Sequence, residues 1–230
     1  MAVTLIHTVA GLAPVFSGLA REVLPVGTRV VHLVDEELLQ DTIRAGQIRP
    51  ETRDRLRTYV GFAAQAGSEA VMVTCSSVGP AVDEIAAEAQ LPVLRVDAAM
   101  AEAAVQLGRR IGVLGTLATT LEPTASLIRA RAAQGGAEIT VEARLAAGAF
   151  ERLQAGDTRG HDERVLGELR TLLASADVVV LAQASMARVA DQLGADERRV
   201  PILTSPRLGL ERLREVLGTS TREMAPLSRR

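Results

Sequence analysis

Short β-branched runs alternate with longer Ala- and Leu-rich amphipathic stretches along the whole chain, and this alternation specifies an α/β fold. Strands are expected at Val3–Thr8, Arg29–Val34, Ala70–Cys75, Val93–Val96, Arg110–Gly115, Glu138–Ala143, Asp177–Ala182 and Pro201–Thr204. Several of these runs are apolar at every position, as in parallel strands covered on both faces. Helices are expected near residues 11–24, 51–66, 80–90, 98–107, 119–134, 160–175, 186–194 and 207–217. The negatively charged turn after the second strand, Asp35 to Glu37, reads as solvated.

The alternation also repeats. Thr8 closes the first strand and Cys75 the third, 67 positions apart, and the same interval separates Thr116 from Gln183. Equal intervals between matching strand ends predict two related α/β halves. Ligands of open α/β sheets sit beyond the carboxyl ends of the strands. Two such halves would therefore enclose a cleft between their strand ends. The expected architecture is two pseudo-symmetric three-layer lobes with mainly parallel sheets. The first lobe would hold residues 1–97 plus 207–230, and the second residues 98–206. The last helix is assigned to the first lobe because the second half ends at its own final strand.

Composition narrows the chemistry. Apolar residues make up 47% and charged residues 23%, enough for a substantial core. All 26 basic residues are Arg. Without Lys there is no Schiff-base lysine for pyridoxal phosphate, no P-loop and no kinase phosphate lysine. The net charge of −2 gives no sign of a nucleic-acid or anionic-membrane partner. Cys75 is the single cysteine, so no intrachain disulfide or cysteine-based zinc cluster can form. His7, His32 and His161 lack metal-ligand spacing, and no metal is expected. No Lys or Arg precedes the apolar opening stretch, which reads as a strand and helix rather than an export leader. The expected location is the cytoplasm.

Thr74-Cys75-Ser76-Ser77-Val78-Gly79-Pro80 carries the most chemical information. It turns from a buried strand into a helix. Free amides at such a turn, with Ser hydroxyls, suit a carboxylate. A thiol at the positive end of a helix is biased toward thiolate. A second segment, Ile111-Gly112-Val113-Leu114-Gly115-Thr116, followed by Ala118-Thr119-Thr120, lacks the full dinucleotide spacing and a ribose-binding acid.

With these two motifs and its two-half layout, the chain resembles the aspartate/glutamate/hydantoin racemase superfamily over nearly its whole length. The resemblance implies a pocket between two pseudo-symmetric lobes, no cofactor, and proton transfer next to the carboxylate of a small acid. It also implies two cysteines facing the substrate carbon from opposite sides. Here the second position, in Leu181-Ala182-Gln183-Ala184-Ser185-Met186, is occupied by Gln183. Removing a proton from one face and returning one to the other needs an acid/base on each face, and Gln cannot serve.

The expected catalytic set is Cys75, Gln183, His7 and Ser185, with His7 or an activated Ser185 as proton carrier opposite the thiol. The expected substrate-binding set is Thr8, Thr74, Ser76, Ser77, Gly115, Thr116 and Arg188, the last for a distal carboxylate. His32 reads as structural, and His161, at a helix start, as exposed. Three functions stay open: a racemase-like isomerase, a one-cysteine lyase of the decarboxylase kind, and a non-catalytic small-carboxylate binder. A homo-oligomer also stays open.

Overall fold

The computed structural model describes residues 1–223, with side chains to 219. It contains two four-stranded, wholly parallel sheets. The first has strand order β2-β1-β3-β4, from Ala2–His7 (β1), Arg29–Val34 (β2), Ala70–Val73 (β3) and Val93–Arg95 (β4). The second has order β6-β5-β7-β8, from Arg110–Gly115 (β5), Thr140–Leu145 (β6), Val178–Leu181 (β7) and Ile202–Thr204 (β8). The helices are Leu12–Val23 (α1), Glu37–Ala45 (α2), Pro50–Gln65 (α3), Gly79–Glu88 (α4), Ala98–Leu107 (α5), Ala118–Gln134 (α6), Ala149–Gln154 (α7), Thr158–Leu173 (α8), Ala187–Ala190 (α9) and Ser205–Glu223 (α10).

The repeat predicted by the strand intervals is present at the level of register. Val3 pairs with Ala70 and Ile111 pairs with Val178. Each residue of the second pair lies 108 positions after its counterpart in the first. Hydrogen bonds repeat with the same offset. The Ala2 amide donates to Glu69 Oε1 at 3.1 Å, and the Arg110 amide donates to Asp177 Oδ2 at 2.8 Å. The central strands β1, β3, β5 and β7 are buried at every position but Arg110 because helices cover both faces. Each fully buried Val, Leu or Ile in them contributes about 1.5–3 kcal/mol.

The two sheets exchange their covering helices. After β4 the chain crosses over, and α5 lays Met100, Ala101 and Ala104 against Ile111, Val113 and Val178 of the second sheet. After β8 it returns, and α10 lays Leu210, Leu213 and Leu217 against Val3, Leu5 and Met72 of the first. Arg212 of α10 and Glu102 of α5 pair where these helices meet. Residues 224–230 of the expected first-lobe range lie outside the described residues.

Three local expectations are corrected. The strand expected at Glu138–Ala143 runs from Thr140 to Leu145. Two helices, α2 and α7, occur where none was expected. The turn expected to be solvated leads into α2 and buries Asp35, whose Oδ2 accepts a 2.6 Å bond from the Tyr59 hydroxyl and lies 2.7 Å from Arg55 Nε. Among the described residues, no helix is long and apolar enough to cross a membrane.

Candidate functional site

A cavity of about 100 Å³ lies where the carboxyl ends of the two sheets face each other. From the first lobe come Thr8 and Val9 after β1, Leu12 of α1, Leu39 of α2, Thr74 to Ser77 after β3, and Val96 after β4. From the second come Leu117 and Thr120 around the start of α6, Phe150 and Leu153 of α7, Ala182 to Ser185 after β7, and Ser205 at the start of α10. The first turns of α1, α6 and α10 thus open onto the cavity. The 3-10 turn Ser76–Val78 leads from it into α4. Helix starts carry unpaired amides and positive partial charge, so this space favours an anion.

Cys75 reaches the cavity from the first lobe. Burial pushes its thiol pKa above the ordinary value. The opposing influence is a ring of donors to Sγ: the Thr8 hydroxyl, the Ser77 and Val78 amides, and the Ser77 hydroxyl. These donors are the groups that would hold a thiolate once formed. Ser77 also joins the lobes, because its Oγ lies 2.6 Å from Thr120 Oγ1 across the cleft.

The turn that carries Cys75 is braced from behind. Arg95 is buried and donates through Nε and Nη2 to the two oxygens of buried Asp97, both at 2.9 Å. Its Nη1 reaches Asp83 at 2.6 Å. The guanidinium lies against Gly79, where a Cβ would overlap it. Because this guanidinium is pinned by two carboxylates, it cannot swing away cheaply. Gly79→Ala is therefore expected to lower the unfolding free energy by about 1–3 kcal/mol, as read from the urea midpoint.

Gln183 occupies the position matching Cys75. The two share extended backbone angles, with φ of −131° at Cys75 and −132° at Gln183. The Thr116 amide donates to Gln183 Oε1 at 2.6 Å, and the Thr116 hydroxyl donates to the same atom at 3.0 Å. Thr8 serves Cys75 as Thr116 serves Gln183. With Oε1 engaged, the Nε2 amide is what Gln183 offers a ligand: a hydrogen-bond donor that carries no transferable proton.

Of the expected site residues, Cys75, Gln183, Ser185, Thr8, Thr74, Ser76 and Ser77 line the cavity. Four others do not. His7 is fully buried behind Thr74, with Nδ1 2.9 Å from Thr74 Oγ1 and Nε2 2.8 Å from His32 Nδ1. Its ring stacks on His32 and packs against Phe16. Burial and the neighbouring His32 pull its pKa down to about 4. The neutral imidazole does not line the cavity; it meets the cavity wall through the Thr74 hydroxyl. Thr116 stands one layer back, holding Gln183. Gly115 is a packing position, where a Cβ would come within 3.1 Å of Leu121 Cβ. Arg188 is engaged by Asp162, with Nη1 2.5 Å from Oδ2.

His161, expected to be exposed, is fully buried. Its Nδ1 lies 2.7 Å from Asp162 Oδ1, and its Nε2 has no hydrogen-bond partner among the described residues. Hydrogen bonds from His161, Gln192 and Arg188 outweigh the burial of Asp162 and hold that carboxyl below its ordinary pKa. The cavity residues absent from the expected set are chiefly apolar, among them Leu39, Phe150 and Leu153, together with Thr120 and Ser205. Thr120 could have been found in the Thr-rich start of α6. The others depend on α2, α7 and the crossing helices.

The two-histidine pair has a pH signature. The folded pKa of His7 lies below its ordinary 6.5, so the unfolded chain binds the proton more readily. Stability is then full above about pH 6.5 and declines as pH falls toward 4. The expected loss is on the order of 1–2 kcal/mol, less than the full shift because His32 is partly exposed. Urea melts of the wild type and His7→Asn between pH 7 and 5 should show a smaller pH dependence in the variant.

These features match one family. The model for Asp/Glu/hydantoin racemases matches residues 13–213, and the chain belongs to that family. Glutamate racemase of Stutzerimonas stutzeri (strain A1501) is 32% identical over 142 residues, which are 59% of this chain and 53% of that protein. The chain thus spans about half the length of that curated relative. Among solved structures, a glutamate racemase isoform from Bacillus anthracis superposes with a TM-score of 0.70 at 19% identity, covering 95% of this chain and 82% of that one. Allantoin racemase from Pseudomonas fluorescens gives 0.66 at 17% identity, covering 96% and 92%. Aspartate racemase of Picrophilus torridus gives 0.69 at 11% identity, covering 94% of both chains. At these identities the solved structures establish the shared two-lobed α/β fold.

Proposed function

We propose that this chain is a cofactor-independent, racemase-like isomerase that moves a proton at the carbon next to the carboxylate of a small acid. The observation that carries this reading is the Cys75 thiol at the strand-end cavity, beside the Thr8, Ser76 and Ser77 hydroxyls that line the same space. The carboxylate would sit on the helix starts, with Ser76, Ser77 and Thr8 as donors. Deprotonation next to it gives an enediolate, whose second negative charge the same amides and Gln183 Nε2 can stabilise. Cys75 acts as the base on one face of that carbon; return of the proton to the same face restores the starting acid, and isomerisation follows when the enediolate takes a proton on the opposite face.

Gln183 favours a second reading, a one-face lyase in which Cys75 protonates an enediolate left by loss of carbon dioxide. The second lobe lines the cavity with Gln183 and with the hydroxyls of Ser185, Thr120 and Ser205, none of which carries a proton without an activating base.

The test is incubation of the wild-type protein with single enantiomers of small chiral acids and the corresponding malonates, reading optical rotation, proton exchange at the α-carbon and carbon dioxide release. Loss of rotation, slower than proton exchange at the α-carbon, supports the isomerase. Carbon dioxide from a malonate supports the lyase instead. Neither, with saturable binding of the same acids, would replace both readings with a non-catalytic binder.

A further inference from the structure

The walls of the cavity bear on which acid can enter, and this inference rests on the proton-transfer reading above. Among the described residues that line the cavity, none is charged. Its polar groups are hydroxyls, the Cys75 thiol and the Gln183 amide, and much of the remaining wall is Val9, Leu12, Leu39, Leu117, Phe150 and Leu153. The buried acids nearby in sequence are all committed elsewhere. Asp97 is paired with Arg95, Asp35 with Tyr59 and Arg55, and Asp162 with Arg188, Gln192 and His161. Arg188, the one cation expected to meet a distal carboxylate, is held by Asp162 outside the cavity.

We propose that the substrate carries a single charge, its carboxylate, and presents an uncharged, largely apolar substituent to the leucine and phenylalanine wall. The helix starts around the cavity can neutralise one anion through amides and dipoles. A second carboxylate would lie against Leu and Phe side chains with no cation to receive it. An α-ammonium would find no carboxylate and would be repelled by the helix starts that hold the anion. A buried charge without a partner is strongly disfavoured. The site thus selects against dicarboxylic and zwitterionic amino acids, including glutamate, the substrate named for the relative from Stutzerimonas stutzeri.

Matched pairs of ligands test this by calorimetry on the wild-type protein. 4-Methylpentanoate and leucine differ by the ammonium group. 2-Methylpentanoate and 2-methylpentanedioate differ by a distal carboxylate. In each pair the singly charged acid is expected to bind at least ~100-fold more tightly. Equal affinities within a pair, tighter binding of leucine or the diacid, or no binding of either singly charged acid at millimolar concentration would overturn the proposal. Proton exchange at the α-carbon of the same ligands separates this inference from the reading beneath it. Selective binding without exchange leaves the charge preference standing and removes the proton transfer. Exchange of leucine or glutamate in preference to the singly charged acids leaves the proton transfer standing and removes the charge preference.

Discussion

Cys75→Ser should lower turnover of any acid this protein processes by at least ~100-fold, while the fold is retained. The Ser hydroxyl can accept hydrogen bonds from Thr8 and the Ser77 and Val78 amides, which preserves the turn. It cannot ionise in the range where a thiol does, so the base on the first face is lost. The check is a rate assay paired with urea melts of both proteins. Unchanged turnover in a folded Cys75→Ser protein would remove the thiol from the reaction.

The second large effect is a gain. Gln183→Cys should create racemisation, or raise it at least ~10-fold, while Cys75 is intact. The expectation follows from the repeat: position 183 lines the same cavity from the other lobe, with backbone angles close to those of Cys75. The Thr116 amide and hydroxyl that now hold Gln183 Oε1 would be freed to stabilise a thiolate, as the donors around Cys75 do. The double substitution with Cys75→Ser should lose the gain. A Gln183→Cys protein with wild-type racemisation rates would show that the two positions do not face one substrate carbon.

The parallel strands and the two-half layout were legible because buried parallel strands are mostly apolar along their length, and because two equal intervals tied the halves together; the strand order within each sheet was not among the expectations. The edge strand β6 was misplaced by two residues. Its sequence, Thr-Val-Glu-Ala-Arg-Leu, is half-exposed and carries no continuous apolar run. Helix α7 spans only Ala149–Gln154, too short for helical periodicity to show. With it went Phe150 and Leu153, the apolar wall on which the substrate inference depends.

The site was legible where chemistry and strand ends coincide, at Cys75, Gln183 and Ser185. It failed where facing decides. Thr8, just past the end of β1, meets the cavity, while its neighbour His7 is buried against His32 and Phe16 and touches the cavity wall through Thr74. Arg188 and His161 failed for another reason. Asp162 gathers both, and nothing in the order of residues 161, 162 and 188 announces that the start of α8 meets α9 there.

The most direct measurement of the central claim is stereochemical. A single enantiomer of a bound, singly charged chiral acid is incubated with wild-type protein in deuterium oxide. Deuterium at the α-carbon is followed by mass spectrometry, and configuration by chiral chromatography. A thiol on one face, with no proton carrier at position 183, predicts deuterium uptake with retained configuration, at least ~10-fold faster than inversion. Inversion that keeps pace with uptake would contradict the account, because a second acid/base would then be working on the opposite face.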